Sequence, residues 1–81
     1  MLGNVVCSLA GRDKGKFMVV VGFKDGYPLV ADGKERPLQR PKLKNPKHLK
    51  KTNSILKEEQ YSTNKSLRRA LNAFGVQQEE D

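Results

Sequence analysis

The strongest strand signal in this chain is the sequence Phe17-Met18-Val19-Val20-Val21-Gly22-Phe23. Its consecutive valines are branched at Cβ and restricted about χ1, which favours a pleated strand over a helix. A shorter stretch of β-branched and apolar residues at positions 4–10 predicts another strand just before it. Residues 11–15 predict a turn between the two, because a glycine at each end accepts backbone angles that are costly for other residues.

The next part of the chain is marked by Asp-Gly dipeptides at positions 25–26 and 32–33. Each predicts a hairpin turn, because type I′ turns need positive φ at both central residues. Residues 27–31 predict a third strand, residues 34–38 have the length of a fourth, and Leu43 is expected to anchor a short fifth. This antiparallel meander predicts a partly closed five-stranded barrel, because closure hides the edges of a small sheet.

From Asn64 onward the pattern changes to the spacing of a helix. The apolar positions of that pattern are Leu67, Ala70, Leu71 and Phe74. Asn64 is predicted to be the N-cap of this helix, and Gly75 is predicted to end it as the C′ residue. A helix of about ten residues is marginal in isolation, so we expect it to dock on the barrel. Residues 54–62 are compatible with either a short strand or a turn.

The chain is small, with 81 residues of which 36% are hydrophobic. A core of this size is not expected to surround a large enzyme cleft. We expect a barrel with its basic extension over residues 1–53, a linker and helix over 54–76, and a disordered acidic tail over 77–81.

Several features bear on the compartment. The longest apolar run, residues 17–21, is much shorter than the roughly 20 residues that cross a bilayer. The N-terminus lacks a basic region followed by an apolar stretch, so the sequence does not predict a signal peptide. A single cysteine, Cys7, excludes an internal disulfide framework and a multi-cysteine zinc site. These features predict a soluble cytoplasmic protein with no membrane partner.

The positive charge is concentrated in one part of the chain. Sixteen Lys and Arg against nine Asp and Glu give a net charge of +7. Residues 34–51, the basic segment, contain eight basic residues and one acid, Glu35, so they carry this whole excess while the rest is balanced. The basic residues are Lys34, Arg36, Arg40, Lys42, Lys44, Lys47, Lys50 and Lys51. Such a block indicates either a polyanionic partner or a solvated tail.

The N-terminal half resembles a KOW domain. The resemblance lies in Gly3-x-Val5-Val6, in the basic turn Gly11-Arg12-Asp13-Lys14-Gly15-Lys16, and in the valine-rich strand at 17–21, and it covers residues 3–31. The sequence Leu29-Val30-Ala31-Asp32-Gly33 and the proline-punctuated basic segment resemble KOW-type proteins of the archaeal and eukaryotic large ribosomal subunit, which extends the similarity to residue 52. The resemblance implies an SH3-like barrel that binds RNA, often ribosomal RNA.

The expected RNA-binding residues lie in the turn and in the basic segment. Lysine and arginine neutralise phosphates and release condensed counterions. The turn either holds phosphates or only connects two strands, and the resemblance favours RNA contact. His48 is expected either to contact RNA or to be simply exposed, while Asp13 is expected to form the turn. The complete set is Arg12, Lys14, Lys16, Lys34, Arg36, Arg40, Lys42, Lys44, Lys47, His48, Lys50 and Lys51.

The predicted function is RNA binding, associated with ribosomal RNA of the large subunit and based on phosphate contacts. The alternative is a protein-interaction module of the transcription or translation apparatus, like the KOW domain of the elongation factor NusG. An enzyme is not expected, because the chain has one histidine, one cysteine and no nucleotide-binding motif. We expect no cofactor and no metal, a monomer, and ribosomal proteins as further candidate partners.

Overall fold

The computed structural model describes the backbone of residues 2–79 and the side chains of residues 2–74. The strands are β1 (Asn4–Ser8), β2 (Phe17–Lys24), β3 (Tyr27–Ala31), β4 (Lys42–Leu43) and β5 (Leu49–Ile55), followed by helix α1 (Asn64–Glu79). Short 3₁₀ turns lie at Pro46–His48 and Glu58–Tyr61. The chain is therefore mainly β with one C-terminal helix, as the sequence predicts.

The strands form one antiparallel sheet with the order β4-β3-β2-β1-β5. The first four strands are a meander, and β5 returns to pair with β1. The prediction of a five-stranded antiparallel sheet is confirmed. Within residues 2–79, β4 and β5 are the two edges and no ladder joins them, so the partly closed barrel stays a prediction.

Both faces of the central strands are buried. One face carries a core of Val6, Met18, Val20 and Val30, with Leu49 against it. The other carries Val5, Val19 and Ala31 and is covered by Leu67, Leu71 and Phe74 of α1. Successive side chains of a strand point to opposite faces, so strands buried on both sides need consecutive apolar residues. This double burial explains why the β2 sequence is a continuous apolar run rather than an alternating one.

The β2–β3 hairpin forms as predicted. Asp25 and Gly26 have φ of 52° and 84°, which are the positive values that a two-residue hairpin turn requires. The other Asp-Gly dipeptide does not start a hairpin, and the strand predicted at residues 34–38 is wrong. Asp32 Oδ1 instead accepts hydrogen bonds from the backbone amides of Lys34 at 2.8 Å and Arg36 at 3.0 Å. This local capping removes those amides from any strand ladder.

The fourth and fifth strands consequently lie later in the chain than predicted. Leu43, expected in the fifth strand, is in β4 and pairs with Leu29 of β3. The fifth strand is β5, in a region where the lysine-rich composition gives little strand signal. The first strand ends at Ser8 rather than at residue 10. These shifts leave the number of strands unchanged. They mean that residues 42–43 and 49–51 of the basic segment pair in the sheet, and that residues 34–38 do not.

Helix α1 is longer than predicted and begins differently. Thr63 is its cap, because Thr63 Oγ1 accepts from the Ser66 amide at 3.1 Å and Ser66 Oγ accepts from the Thr63 amide at 3.3 Å. Asn64 is therefore not the N-cap. Its Oδ1 accepts from the Leu38 amide at 2.8 Å, which ties the chain after β3 to the helix.

The C-terminal end of α1 also differs from the prediction. Gly75 lies inside the 16-residue helix, so the prediction that it ends the helix is wrong. The predicted tail, residues 77–81, overlaps the last helical turn, and residues 80–81 lie outside the described part of the chain. Its disorder stays a prediction. No helix within residues 2–79 has both the length and the apolar character needed to cross a bilayer.

Gly33 lets the start of α1 approach the chain after β3. Its φ is +80°, and a Cβ atom at this position would lie 2.6 Å from the Asn64 carbonyl oxygen. The Arg68 guanidinium donates to the Gly33 carbonyl at 2.8 Å, so a hydrogen bond from α1 also stabilises this close contact. Gly26 has a similar φ of +84°, but a Cβ there would meet no atom within 4 Å.

The two glycines give a matched test of helix docking. Gly26→Ala is expected to lower the free energy of unfolding by about 1 kcal/mol, the cost of a left-handed conformation with a Cβ atom. Gly33→Ala is expected to cost a further 1–3 kcal/mol or so, because the added methyl overpacks the helix contact. Urea unfolding of both variants measures the difference, and equal losses would contradict the close approach of α1.

Candidate functional site

The β1–β2 loop, residues 9–16, is folded back on the end of β1. The Gly15 amide donates to the Ser8 carbonyl at 2.8 Å, and the Lys16 amide donates to the Asp13 carbonyl at 2.9 Å. Asp13 therefore forms the turn, as predicted. The side chains of Arg12, Lys14 and Lys16 are exposed on this folded loop. The loop thus displays three cations from a backbone that is fixed by its own hydrogen bonds.

A buried ion pair fastens this loop to the basic segment. Lys44 Nζ lies 3.0 Å from Asp13 Oδ1, 3.2 Å from Ser8 Oγ and 3.1 Å from the Ala10 carbonyl oxygen. Lys44 is 7% exposed and Asp13 is 8% exposed. An ammonium group has three N–H donors, so these acceptors satisfy it completely. The chain directly after β4 is therefore fixed to both the end of β1 and the turn.

The same cluster shifts the titration of Asp13. Burial by itself raises the pKa of the Asp13 carboxyl, but hydrogen bonds from Lys44 and Ser8 and the Lys44 charge lower it by more, so the net pKa is below its ordinary value. Lys44, predicted as an RNA-binding residue, has its ammonium group inside this cluster rather than at the surface. It is placed to hold the loop.

Cations from the loop and from the basic segment meet around one depression of about 230 Å³, the basic pocket. Its lining residues are Arg12, Asp13, Lys16, Asp32, Glu35, Arg36 and Lys42. Lys16 Nζ lies 3.0 Å from Glu35 Oε1, and this ion pair raises the pKa of Lys16 through its hydrogen bond and charge. Within residues 2–74, no carboxylate lies within 4.0 Å of the charged groups of Arg12, Arg36 or Lys42.

A second group of predicted residues lies along the end of the basic segment. Lys47 and His48 are exposed on the 3₁₀ turn, whose start is capped by Asn45 Oδ1 accepting from the Lys47 amide at 2.9 Å. The His48 carbonyl accepts from the Leu9 amide at 2.8 Å, which places this turn beside the β1–β2 loop. Lys50 and Lys51 are exposed on β5.

The lysines of β5 also have a structural explanation. Because β5 is an edge strand, Lys50 and Lys51 would discourage pairing with another sheet edge whether or not they bind a ligand. Lys34 and Arg40 are exposed in the loop between β3 and β4. The structure thus brings Arg12, Lys16, Arg36 and Lys42 together around the basic pocket, whose lining does not include the other predicted residues.

Three residues that organise this site, Ser8, Asp13 and Glu35, are not among the predicted RNA-binding residues. Ser8 and Asp13 hold Lys44, and Glu35 holds Lys16, yet Asp13 and Lys44 are 31 positions apart. A local pattern gives no signal for such a pair. The one available signal was that Glu35 is the single acid of the basic segment.

The described residues offer no candidate metal site. Within the described residues, no group of three or more His, Cys, Asp or Glu side chains is placed to hold a metal ion. Cys7 is a free thiol on β1 and is partly buried.

No protein-family model matches the chain, and no curated protein is significantly similar to it. The KOW resemblance therefore rests on the quoted residues alone.

Removing Lys44 is expected to be costly. Lys44→Met leaves the Asp13 carboxylate buried without its cation, which is expected to lower the free energy of unfolding by about 3–5 kcal/mol. The double variant Asp13→Asn/Lys44→Met is expected to recover part of this loss, because no buried charge remains unpaired. Lys47→Met, at an exposed site, is the control and should change stability by less than about 0.5 kcal/mol. A Lys44→Met variant as stable as this control in urea would contradict the buried pair.

The lowered pKa of Asp13 predicts a particular acid dependence. A carboxyl whose pKa is lower in the folded chain contributes stability above its unfolded pKa, and loses it as pH falls through the folded pKa. The wild-type chain should therefore lose stability below about pH 4, with the Asp13→Asn variant losing less over the same range. Urea midpoints from pH 7 to pH 2 measure this, with the exposed-turn variant Asp25→Asn as control. Parallel profiles for wild type and Asp13→Asn would refute the assignment.

Proposed function

We propose that this chain is an RNA-binding domain of the KOW type that contacts RNA phosphates through the β1–β2 loop and the basic segment. The observation that carries the proposal is the placement of Arg12 beside Arg36 and Lys42 around one pocket, with no carboxylate partner for any of them within residues 2–74. Cationic side chains that have no carboxylate partner exchange mobile counterions for phosphates without first breaking an internal ion pair.

The sheet supports the finer proposal of an SH3-like barrel. A four-strand meander, a 3₁₀ turn, and a last strand that returns to the first give the connectivity that such a barrel requires. Lys44 follows β4 directly and still reaches Ser8 at the end of β1, although β3 and β2 lie between them in the sheet. A sheet must curl strongly for that contact, which favours the barrel.

Phosphate contact is favoured over base reading by the residues available. The exposed groups of this surface are mainly lysine and arginine, which suit backbone phosphates and give little sequence discrimination by themselves. Ribosomal RNA, the large subunit and ribosomal proteins as partners rest on the KOW resemblance alone. The proposal is therefore an RNA-binding module that recognises charge and shape, with the ribosome as its expected location.

The proposal predicts a steep dependence of RNA affinity on salt. For four or five phosphate contacts, log K against log salt should have a slope of about −3 or steeper, so affinity should fall roughly 60-fold between about 50 mM and about 200 mM salt. Fluorescence anisotropy with a labelled RNA hairpin measures the slope. The double variant Arg36→Gln/Lys42→Gln should weaken binding and make the slope shallower by about two.

A charge-matched variant distinguishes the effect of this surface on RNA binding from the effect of net charge. Lys65→Gln/Arg69→Gln removes the same two charges from exposed positions of α1 and should leave the slope close to that of the wild type. Equal effects of the two double variants, or no binding at low salt, would contradict the proposed surface. Binding to a protein partner that survives high salt would favour the protein-interaction alternative instead.

A further inference from the structure

The geometry points to the basic pocket as a site for a single phosphate group, and we propose that Glu35 limits access to it by holding Lys16. Arg12, Arg36 and Lys42 would bind the phosphate oxygens, and Lys16 would join them when it leaves Glu35. The inference rests on the proposed function, because RNA would supply the phosphate.

The pocket is built from three separate parts of the chain. Arg12 and Lys16 come from the β1–β2 loop, Arg36 comes from the loop after β3, and Lys42 comes from β4. The volume of about 230 Å³ is several times the roughly 30 Å³ that one water occupies in the liquid. The pocket therefore has room for a phosphate group together with some of its hydration shell.

Two of the three carboxylates around the pocket have fixed partners. The Asp13 carboxylate is paired with Lys44 inside the protein, at 3.0 Å. The Asp32 carboxylate accepts from the backbone amides of Lys34 and Arg36. Four cationic side chains and three carboxylates line the pocket, and Lys44 compensates one of those carboxylates, Asp13, from inside the protein, so the pocket has a positive excess. That excess favours an anion as the ligand.

The third carboxylate, Glu35, is different because it is at the surface. Its side chain is 75% exposed and that of Lys16 is 45% exposed. Exposed ion pairs contribute little to stability, so this pair is easily opened. A phosphate offers Lys16 a charged acceptor in place of Glu35, while the Glu35 charge repels the incoming phosphate. Glu35 is thus placed to weaken anion binding without being needed for the fold.

A comparison of two single-charge variants tests this role. Glu35→Gln should raise RNA affinity about fivefold at low salt, because one repulsion is removed and Lys16 is released. Asp25→Asn removes the same charge from the β2–β3 turn, where positive φ suits asparagine, and should change affinity by less than about twofold. Urea unfolding of both variants checks that neither perturbs the fold.

Inorganic phosphate probes the pocket independently of RNA. Titrated into ¹⁵N-labelled full-length chain at constant ionic strength, it should shift the amides of Arg12, Lys16 and Arg36 most, and at lower concentration in Glu35→Gln than in wild type. If RNA binds with steep salt dependence but Glu35→Gln behaves like Asp25→Asn, or phosphate shifts are spread over the surface, the pocket inference is overturned and the proposed function stands. If phosphate binds here and no RNA binds, the pocket is supported and the proposed function is overturned.

Discussion

The buried ion pair between Lys44 and Asp13 fixes the β1–β2 loop relative to the basic segment. Each charge alone would be costly to bury, and each is accommodated because the other is present. Ser8 and Ala10 supply the remaining acceptors of the Lys44 ammonium group, while Asp13 Oδ2 is buried with no hydrogen-bond partner among the described residues. The neighbouring backbone positions follow from this constraint. Arg12 lies on the turn that Asp13 forms, and Lys42 lies two positions before Lys44 on β4. A single internal contact thereby brings surface cations from distant parts of the sequence to one pocket.

The double burial of the sheet determines which surfaces are available to a partner. One face of β1 and β2 packs against side chains of β3 and β5, and the other face is covered by α1. The helix is held by its apolar side chains, by Asn64 binding the Leu38 amide, and by the close approach at Gly33. With both faces occupied, the loops between the strands carry the groups that can meet a ligand. The cations of the basic segment lie in these loops and on the two edge strands, with Lys42 on β4 and Lys50 and Lys51 on β5.

Local patterns predicted the parts of this structure that local forces determine. The valine-rich strand β2, the Asp25-Gly26 turn and the apolar spacing of α1 were all visible in short windows of sequence. The strand predicted at 34–38 failed because the Asp32 side chain captures the amides that a ladder would need. The site was predictable only as a set of charges. The sequence predicts Lys44 only as an RNA-binding residue, because its partner Asp13 is 31 positions away and no local signal indicates its burial.

We propose that RNA contacts the chain at the β1–β2 loop and the basic segment, and nuclear magnetic resonance can map that contact residue by residue. Backbone amide shifts of the ¹⁵N-labelled chain would be recorded as an RNA hairpin is added at low salt. The largest changes are expected at residues 11–16, 32–36 and 42–51, while the exposed positions of α1, Lys65 and Arg69, should be unchanged. Largest changes on α1 or at the β2–β3 turn, or no change at all, would contradict it.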